Sequence, residues 1–276
     1  LVENSIDAGA NKITIEIKNG GKTFIKVVDN GKGMEQDDMF LSLERHATSK
    51  IKNIEDLENN YTMGFRGEAM ASIASISKLI LASKTKNMLS GTKITAKAGE
   101  IQEKEECAMS TGTSVIVEDL FFNTPARLKH IKSLNTELSH ITDYLNKIAL
   151  SHPEIAFKLL NNQRLLFQTN GQNNLQSVIA SVYGFDVAKK MIPFSAKNDD
   201  FEISGFLSDP IINRASRNYV TIIVNGRAIR NYNLMRSIIE AYHTLLPKDK
   251  YPIVVLNLKL DPILVDVNVH PAKLEV

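Results

Sequence analysis

The strongest constraint in this sequence is an amphipathic β-hairpin that ends in a glycine-rich turn. Apolar residues alternate at Ile13, Ile15 and Ile17, the turn formers Asn19-Gly20-Gly21 follow, and residues 24–28 are again mostly apolar. An alternation with a period of two predicts strands with one buried face, and the short turn predicts an antiparallel pair. The second strand leads directly into Asp29-Asn30-Gly31-Lys32-Gly33, which contains too many turn formers for a regular element.

The rest of the chain mixes helical and strand patterns in both halves, which predicts an α+β fold. The predicted helices cover residues 37–43, 68–76, 134–148, 175–183 and 234–243, in addition to one in residues 1–10. The predicted strands cover residues 78–83, 92–96, 114–117, 157–160, 165–167, 201–206, 219–224, 253–258 and 264–269. A polar stretch at residues 169–174 predicts a boundary between a domain of residues 1–170 and a second domain of residues 171–276.

Composition excludes several classes of protein. No apolar run approaches the roughly 20 residues that cross a bilayer, so we expect no contact with a membrane. The single cysteine, Cys107, cannot form an internal disulfide, which favours a reducing compartment. The chain begins within a helical pattern and without an initiator methionine, so we expect a piece of a longer protein.

The basic residues are concentrated in one segment of an otherwise balanced chain. The sequence has 33 Lys and Arg against 31 Asp and Glu, but residues 211–239 contain five arginines and no acidic residue. This pattern favours an anion-binding surface, although folding could also bring acidic partners to these side chains. The five residues are Arg214, Arg217, Arg227, Arg230 and Arg236.

The acidic residue at the end of the first hairpin, Asp29, could bind a ligand as well as form a turn. A carboxylate such as Asp29 can accept a hydrogen bond from an exocyclic amine, as adenine N6 would supply. Gly31 and Gly33 would let a ring approach the backbone. The alternative is a turn without a ligand. The spacing matches neither a dinucleotide-binding fingerprint nor a P-loop.

Two further features favour binding of a polyphosphate. The cluster Gly64-Phe65-Arg66-Gly67-Glu68 precedes a predicted helix, where backbone N–H groups and the helix dipole attract anions. The polar segment before it, residues 45–63, is typical of a flap over a site. In the first helix, Asn4 can ligate Mg²⁺ through its side-chain oxygen, with water and phosphate as the other ligands.

Eight strings of the sequence together resemble the N-terminal region of the MutL DNA mismatch repair family. They are Leu1-Val2-Glu3-Asn4-Ser5-Ile6-Asp7-Ala8-Gly9-Ala10, Asp29-Asn30-Gly31-Lys32-Gly33-Met34, residues 45–50, residues 64–69, Gly112-Thr113, Phe122-Asn123-Thr124-Pro125-Ala126-Arg127, Asn225-Gly226-Arg227 and residues 266–273. The match spans the whole chain in the right order. The first two strings are shared with gyrase, Hsp90 and histidine kinase ATPases, whereas most of the others are more specific.

The resemblance implies a set of site residues. The implied ATP-binding residues are Asn4, Asp7, Ala8, Asp29, Gly31, Gly33, Met34, Thr48, Ser49, Lys50, Gly64, Phe65, Arg66, Gly67, Glu68, Ala69, Thr113 and Lys273. Within this set, Asn4 would ligate magnesium, and Asp29, supported by Thr113, would recognise adenine. Residues 48–50 would belong to the lid, and Lys273 would reach the γ-phosphate as the catalytic lysine.

One departure from the family pattern concerns the general base. The family's glutamate stands four residues before the asparagine, which is one position before Leu1, so we expect the chain as given to be an impaired ATPase. Glu3 does not replace it, because neighbouring helical residues project about 100° apart.

The implied fold is a Bergerat-type ATPase sandwich, with helices on one face of an open mixed sheet. A smaller α+β domain that resembles domain 2 of ribosomal protein S5 follows it. The implied function is slow ATP hydrolysis that gates coordination between mismatch recognition and strand processing, with ATP and Mg²⁺ as cofactors. The implied partners are DNA bound without sequence preference, the mismatch-recognition protein MutS, a downstream nuclease or helicase, and a second copy in an ATP-dependent homodimer.

The expected location is the bacterial cytoplasm, or the nucleus of a eukaryote. Two alternatives remain for the function. One is an ATP-sensing clamp whose hydrolysis is vestigial. The other is the ATPase subunit of a type II topoisomerase, which is disfavoured because its lysine typically stands in a Gln-Thr-Lys loop, whereas Lys273 follows His270-Pro271-Ala272.

Overall fold

The computed structural model describes residues 1–44 and 69–261, and these form two compact units. The larger unit comprises Leu1–Asp143 and Glu154–Gln172. The smaller unit comprises Tyr144–Pro153 and the chain from Asn173 onward. The chain therefore passes between the units more than once, and one long helix, Leu134–Ser151, contributes to both.

The larger unit contains a mixed eight-stranded sheet. Its strands are β1 (Lys12–Lys18), β2 (Phe24–Asp29), β3 (Lys78–Lys84), β4 (Gly91–Lys97), β5 (Glu100–Cys107), β6 (Gly112–Glu118), β7 (Ala156–Asn161) and β8 (Arg164–Gln168). The spatial order is β5-β4-β3-β6-β2-β1-β7-β8. Only β1 and β7 pair in parallel, and all other neighbours are antiparallel. The hairpin of β1 and β2 is the one that the sequence predicts.

The helices of this unit are α1 (Val2–Asp7), α2 (Gln36–Leu43), α3 (Ala69–Ser75), α4 (Pro125–His130) and α5 (Leu134–Ser151), with a 3-10 turn at Asn19–Gly21. Of these, α2 and α3 cover one face of the sheet. Because successive side chains on a strand point to opposite faces, residues such as Leu81, Ile94 and Val115 share the covered face. Met39 of α2 and Ala74 of α3 pack into the same buried cluster.

The smaller unit contains a five-stranded sheet and three helices. The strands are β9 (Met191–Lys197), β10 (Phe201–Ser208), β12 (Val220–Val224), β13 (Arg227–Ile229) and β15 (Val254–Leu260), in the order β13-β12-β15-β10-β9. A separate pair is formed by β11 (Asn213–Arg214) and β14 (Tyr251–Pro252). The helices are α6 (Leu175–Tyr183), α7 (Phe185–Ala188) and α8 (Tyr232–Tyr242), with 3-10 turns at Arg217–Tyr219 and His243–Leu245.

Helix α8 forms the core of the smaller unit together with β12 and β15. The side chain of Asn231 caps the helix by accepting a hydrogen bond from the N–H of Leu234 at 3.0 Å. At the other end, Tyr242 is buried in the apolar cluster with Ile222 and Val254.

The two units together confirm the prediction of an α+β protein, with a large and a small sheet. None of the helices in residues 1–44 and 69–261 has the length and apolarity needed to cross a membrane.

The structure contains elements that the sequence does not predict. Strand β5 lies at a sheet edge, and all its residues before Cys107 are exposed, so it has no apolar periodicity. Strand β9 is also an edge strand, where Pro193 is tolerated because its missing N–H breaks no central ladder. The first helix ends at Asp7 rather than at residue 10, because Gly9 adopts a left-handed conformation with φ of +73°. The strand predicted at residues 264–269 lies outside the described residues.

The phenol of Tyr242 provides a test of the smaller core. Its hydroxyl donates to the carbonyl oxygen of Ser208 at 2.8 Å, and burial raises the pKa of the phenol. A raised pKa in the folded state means that the contribution to stability is present below the ordinary tyrosine value of about 10 and is lost as the pH rises through the folded pKa. We expect Tyr242→Phe to cost about 1–2 kcal/mol near neutral pH and to weaken this alkaline loss.

Ultraviolet titration of tyrosinate measures the ionisation of this phenol. The chain contains seven tyrosines and no tryptophan, so indole absorbance does not overlap the signal. Tyr242→Phe should remove the component that ionises last. The control Tyr232→Phe, at a side chain that is 76% exposed, should leave that component in place. A late component that survives Tyr242→Phe would contradict the assignment.

Candidate functional site

The candidate site lies where three neighbouring strands end on the covered face of the large sheet. Asp29 of β2 lies directly opposite Thr113 of β6, and Thr113 lies opposite Ser83 of β3. Residues paired in this way share one face of a sheet. The polar side chains of these three residues continue the apolar face of the sheet. Ser83 and Thr113 are buried, with exposed fractions of 0% and 7%. The strand ends therefore form a polar pocket at the end of an apolar core.

From the residues that the structure describes, the carboxylate of Asp29 accepts three hydrogen bonds. Oδ1 accepts from the backbone N–H groups of Gly31 at 2.9 Å and Thr113 at 3.2 Å. Oδ2 accepts from the hydroxyl of Ser5 at 2.7 Å. A carboxylate has about four lone-pair positions, so Oδ2 retains roughly one for a ligand. The protein thus orients the acid and leaves it one acceptor position.

Ser83 holds the loop that follows the two glycines. Its hydroxyl oxygen accepts a hydrogen bond from the N–H of Met34 at 2.8 Å and lies 3.1 Å from the hydroxyl of Thr113. Sequence reasoning missed Ser5 and Ser83. The available indication for Ser83 was a serine that continues the alternation of Leu79 and Leu81 on a face that is otherwise apolar.

The structure gives the two glycines of this loop a packing role. A Cβ added to Gly33 would lie 2.1 Å from the carbonyl oxygen of Lys84, and one added to Gly31 would lie 2.8 Å from that of Ala8. The N–H of Lys32 also donates to the oxygen of Ala8 at 3.0 Å. On the side where a Cβ would stand, the space beside both Cα atoms is therefore taken by protein backbone. The glycines allow the loop to pack between the end of α1 and the end of β3.

Among the described members of the predicted ATP site, Ala8 lies against Gly31 and Met34 is hydrogen-bonded to Ser83. Asn4 and Asp7 lie on α1, Ala8 follows it, and Met34 follows Gly33. Ala69 is the exposed first residue of α3. Thr48, Ser49, Lys50, Gly64, Phe65, Arg66, Gly67, Glu68 and Lys273 lie outside the described residues. Within residues 1–44 and 69–261, no group of three or more His, Cys, Asp or Glu side chains could hold a metal ion.

The structure does not gather the five arginines into one row of free cations. The guanidinium of Arg214 lies 5.4 Å from the ring centroid of Tyr219, and that of Arg217 lies 5.1 Å from the ring of Tyr251. Arg236 pairs with Glu240 at 2.7 Å, so folding supplies this side chain with an acidic partner from the next helical turn. Arg227 is the first residue of the edge strand β13, and Arg230 follows the last one directly.

Known proteins match the chain along its entire length. Residues 1–128 match the family model for histidine kinase-, DNA gyrase B- and HSP90-like ATPases, and residues 179–276 match that for the C-terminal domain of DNA mismatch repair proteins. The DNA mismatch repair protein MutL of Geobacillus sp. (strain WCH70) is 51% identical over 276 residues, which is 100% of this chain and 44% of that protein. MutL of Listeria monocytogenes serovar 1/2a is also 51% identical, over 100% of this chain and 46% of that protein. The chain belongs to the MutL family.

Solved structures support the same assignment. The ATPase domain of Aquifex aeolicus MutL, solved in complex with ADP, is 29% identical with a TM-score of 0.71 over 95% of this chain and 89% of that chain. A crystal structure of the N-terminal domain of a DNA repair protein is 28% identical with a TM-score of 0.83, over 99% of this chain and 84% of that one. The chain is thus a MutL-type N-terminal ATPase region, as the sequence strings predict. It spans less than half the length of the curated MutL relatives.

The packing of Gly33 generates a stability prediction for this MutL region. Gly9 and Gly33 share a φ of +73°, but a Cβ on Gly9 meets nothing within 4 Å, whereas one on Gly33 meets the Lys84 carbonyl. We expect Gly9→Ala to cost about 1–2 kcal/mol from backbone strain alone. Gly33→Ala should cost about 1–3 kcal/mol more, because the loop must move.

Chemical denaturation of the two variants measures this difference. The shared backbone conformation makes Gly9→Ala a matched control for the steric term. Equal losses of stability in the two variants would show that Gly33 is required for its conformation and not for its close approach to β3.

Proposed function

We propose that this MutL region binds ATP at the Asp29 pocket and uses slow hydrolysis to time its action in mismatch repair. The observation that carries the proposal is the carboxylate of Asp29, which three protein donors orient and which keeps about one acceptor position. The structure of the Aquifex aeolicus relative, a MutL ATPase domain complexed with ADP, supports a nucleotide as the ligand.

The acceptor position on Asp29 favours adenine over guanine. Adenine presents a donor amine at N6, which Oδ2 can accept. Guanine presents the acceptor O6 at the corresponding position, and two acceptors facing each other leave both without a partner. Burial beside Ser83 and Thr113 makes such a mismatch costly. ATP should therefore bind more tightly than GTP.

The phosphates would extend from this pocket towards residues that the family resemblance supplies. The amide oxygen of Asn4 is a hard ligand that suits Mg²⁺, an ion that would take its remaining ligands from phosphate and water. Bound Mg²⁺ would neutralise phosphate charge. In the same proposal, residues 48–50 cover the nucleotide, residues 64–68 bind its phosphates, and Lys273 contacts the γ-phosphate.

A nucleotide switch of this kind requires different affinities in its two states. We propose that ATP favours an N-terminal homodimer, and that this state coordinates MutS, DNA and a downstream nuclease or helicase in the bacterial cytoplasm. The competing proposal is a clamp that senses ATP without appreciable turnover. Steady-state hydrolysis by the full-length protein separates the two, because a clamp retains ATP-dependent dimerisation without turnover.

Replacing the acid tests the nucleotide pocket. In Asp29→Asn the remaining oxygen can still accept from the N–H groups of Gly31 and Thr113, and the hydroxyl of Ser5 can accept from the new amide. The fold should therefore persist, but the amide would present a donor to N6. We expect affinity for a non-hydrolysable ATP analogue to fall at least tenfold, about 1.4 kcal/mol, as measured by titration calorimetry on the full-length protein.

Asp119→Asn is the matched control, since it removes the same charge from an exposed acid just beyond the opposite end of β6, about 20 Å away. It should bind the analogue like the parent protein. Unchanged affinity in Asp29→Asn would rule out recognition of adenine by this carboxylate.

The arginines at the edge of the smaller unit give a separate prediction about DNA. We propose that Arg227 and Arg230 contact phosphate, which makes binding independent of sequence and steeply dependent on salt. Reversing both charges to Glu should flatten the slope of log K against log salt for duplex DNA. The double reversal Lys189→Glu with Lys190→Glu, at two exposed positions of the same unit, controls for net charge. The same flattening in both double variants would mean that only total charge matters.

A further inference from the structure

Strand β9 of the smaller unit has an open edge that carries apolar side chains. Among the described strands it pairs with β10 alone, at the end of the five-stranded sheet. Ile192 is 49% exposed, Ala196 is exposed and Phe194 is half-buried. Phe201 of β10 is 42% exposed, and the register of the two strands places it on the same face as these three residues. An open edge with exposed apolar side chains is a template for pairing with another strand.

The hydrogen bonds between β9 and β10 determine which backbone groups face the open edge. The N–H of Asn198 donates to the oxygen of Phe201 at 3.0 Å, and the N–H of Asp209 donates to the oxygen of Lys190 at 3.2 Å. In an antiparallel ladder, hydrogen-bonded pairs alternate with pairs that are not hydrogen-bonded. The backbone groups of the even-numbered residues of β9 therefore point towards β10. Those of its odd-numbered residues point to the open edge.

Pro193 restricts how another strand can pair with this edge. It is one of the outward-facing residues, but it has no N–H, so its backbone can only accept a hydrogen bond. Outward-facing N–H groups remain on Met191, Ser195 and Lys197. An antiparallel second copy of β9 satisfies all three when a two-fold axis passes at Phe194. Met191 then opposes Lys197 of the second copy, and the N–H of Ser195 donates to the carbonyl oxygen of the second Pro193.

Apolar side chains meet along one face in this register. Phe194 faces its own copy across the axis, and Ile192 faces Ala196 of the second copy. On β10, Phe194 lies opposite Gly205, which has no side chain to cover its ring. Directly opposed aromatic and aliphatic side chains stabilise antiparallel sheets. The pairing would therefore bury apolar surface that a single copy leaves exposed.

The charges at the two ends of β9 are complementary in the same arrangement. Lys189 and Lys190 precede the strand, Asp199 and Asp200 follow it, and all four are exposed. In the part of the chain that the structure describes, none of these four side chains makes an ion pair. An antiparallel second copy places the basic end of each strand beside the acidic end of the other. A parallel copy would place like charges together, which is unfavourable.

We propose that two copies of this chain associate through β9 and join their small sheets into one continuous sheet. Every outward-facing N–H of the strand obtains an acceptor, and the apolar face and the charged ends are matched in one register. The contact lies in the smaller unit and uses no residue of the nucleotide pocket. It is therefore separate from the ATP-favoured homodimer proposed above.

Cysteine cross-linking of the full-length protein, without nucleotide, tests the register. In a pair without hydrogen bonds the two Cα atoms lie about 4.5 Å apart, which a disulfide can bridge. Phe194→Cys should therefore form a covalent dimer under mild oxidation, above the level of the parent protein with its own Cys107. Ile192→Cys is the matched control on the same face. It should not form the dimer, because the two copies of residue 192 would lie about 14 Å apart.

Charge reversal gives a second test that leaves the apolar face intact. In the Phe194→Cys background, Asp199→Lys with Asp200→Lys should slow cross-linking about tenfold, because lysines then lie beside lysines. Adding Lys189→Glu with Lys190→Glu reverses the other end and should restore the rate.

The proposal is overturned if Phe194→Cys and Ile192→Cys cross-link equally or not at all, whether or not a different protein covers β9. A rate that neither charge change alters also overturns it. Affinity for the ATP analogue is measured separately on Asp29→Asn, so failure of this contact is distinguishable from failure of the proposed nucleotide site.

Discussion

The hydrogen bonds accepted by Asp29 are the interaction on which the nucleotide pocket depends. They join α1 through Ser5, the glycine loop through Gly31 and the start of β6 through Thr113. If this acceptor were lost, two backbone N–H groups and a hydroxyl would need new partners in a confined place, which is costly. The same carboxylate is therefore a structural acceptor and the group proposed to recognise the base.

The two units place different chemistry at the margins of their sheets. At the end of β2 and the start of β6, polar side chains are buried and satisfied by one another, which suits selective recognition of a base. At the edge strand β9 of the smaller unit, apolar side chains are exposed between charged ends, which suits pairing with a second copy.

Periodicity predicted the elements that bury one face and missed those that do not. The hairpin of β1 and β2, together with β3, β4 and β6, has an apolar face that shows in the sequence as alternation. Strand β5 and helix α4 bury almost nothing, and the conformation of β5 depends on pairing with β4. Elements that are held by their neighbours have no apolar periodicity in the sequence from which they could be predicted.

The sequence by itself determined the MutL family, the α+β class and the position of Asp29 at the end of a strand, because strings and strand periods are local properties. The tertiary structure alone decided what surrounds that acid. Thr113 is 84 residues from Asp29, and only the register of β2 against β6 brings them together. Similarly, Gly33 faces the backbone at the end of β3, 51 residues further along the chain. Strand register and side-chain pairing depend on the whole packed unit, so no short stretch of sequence specifies them.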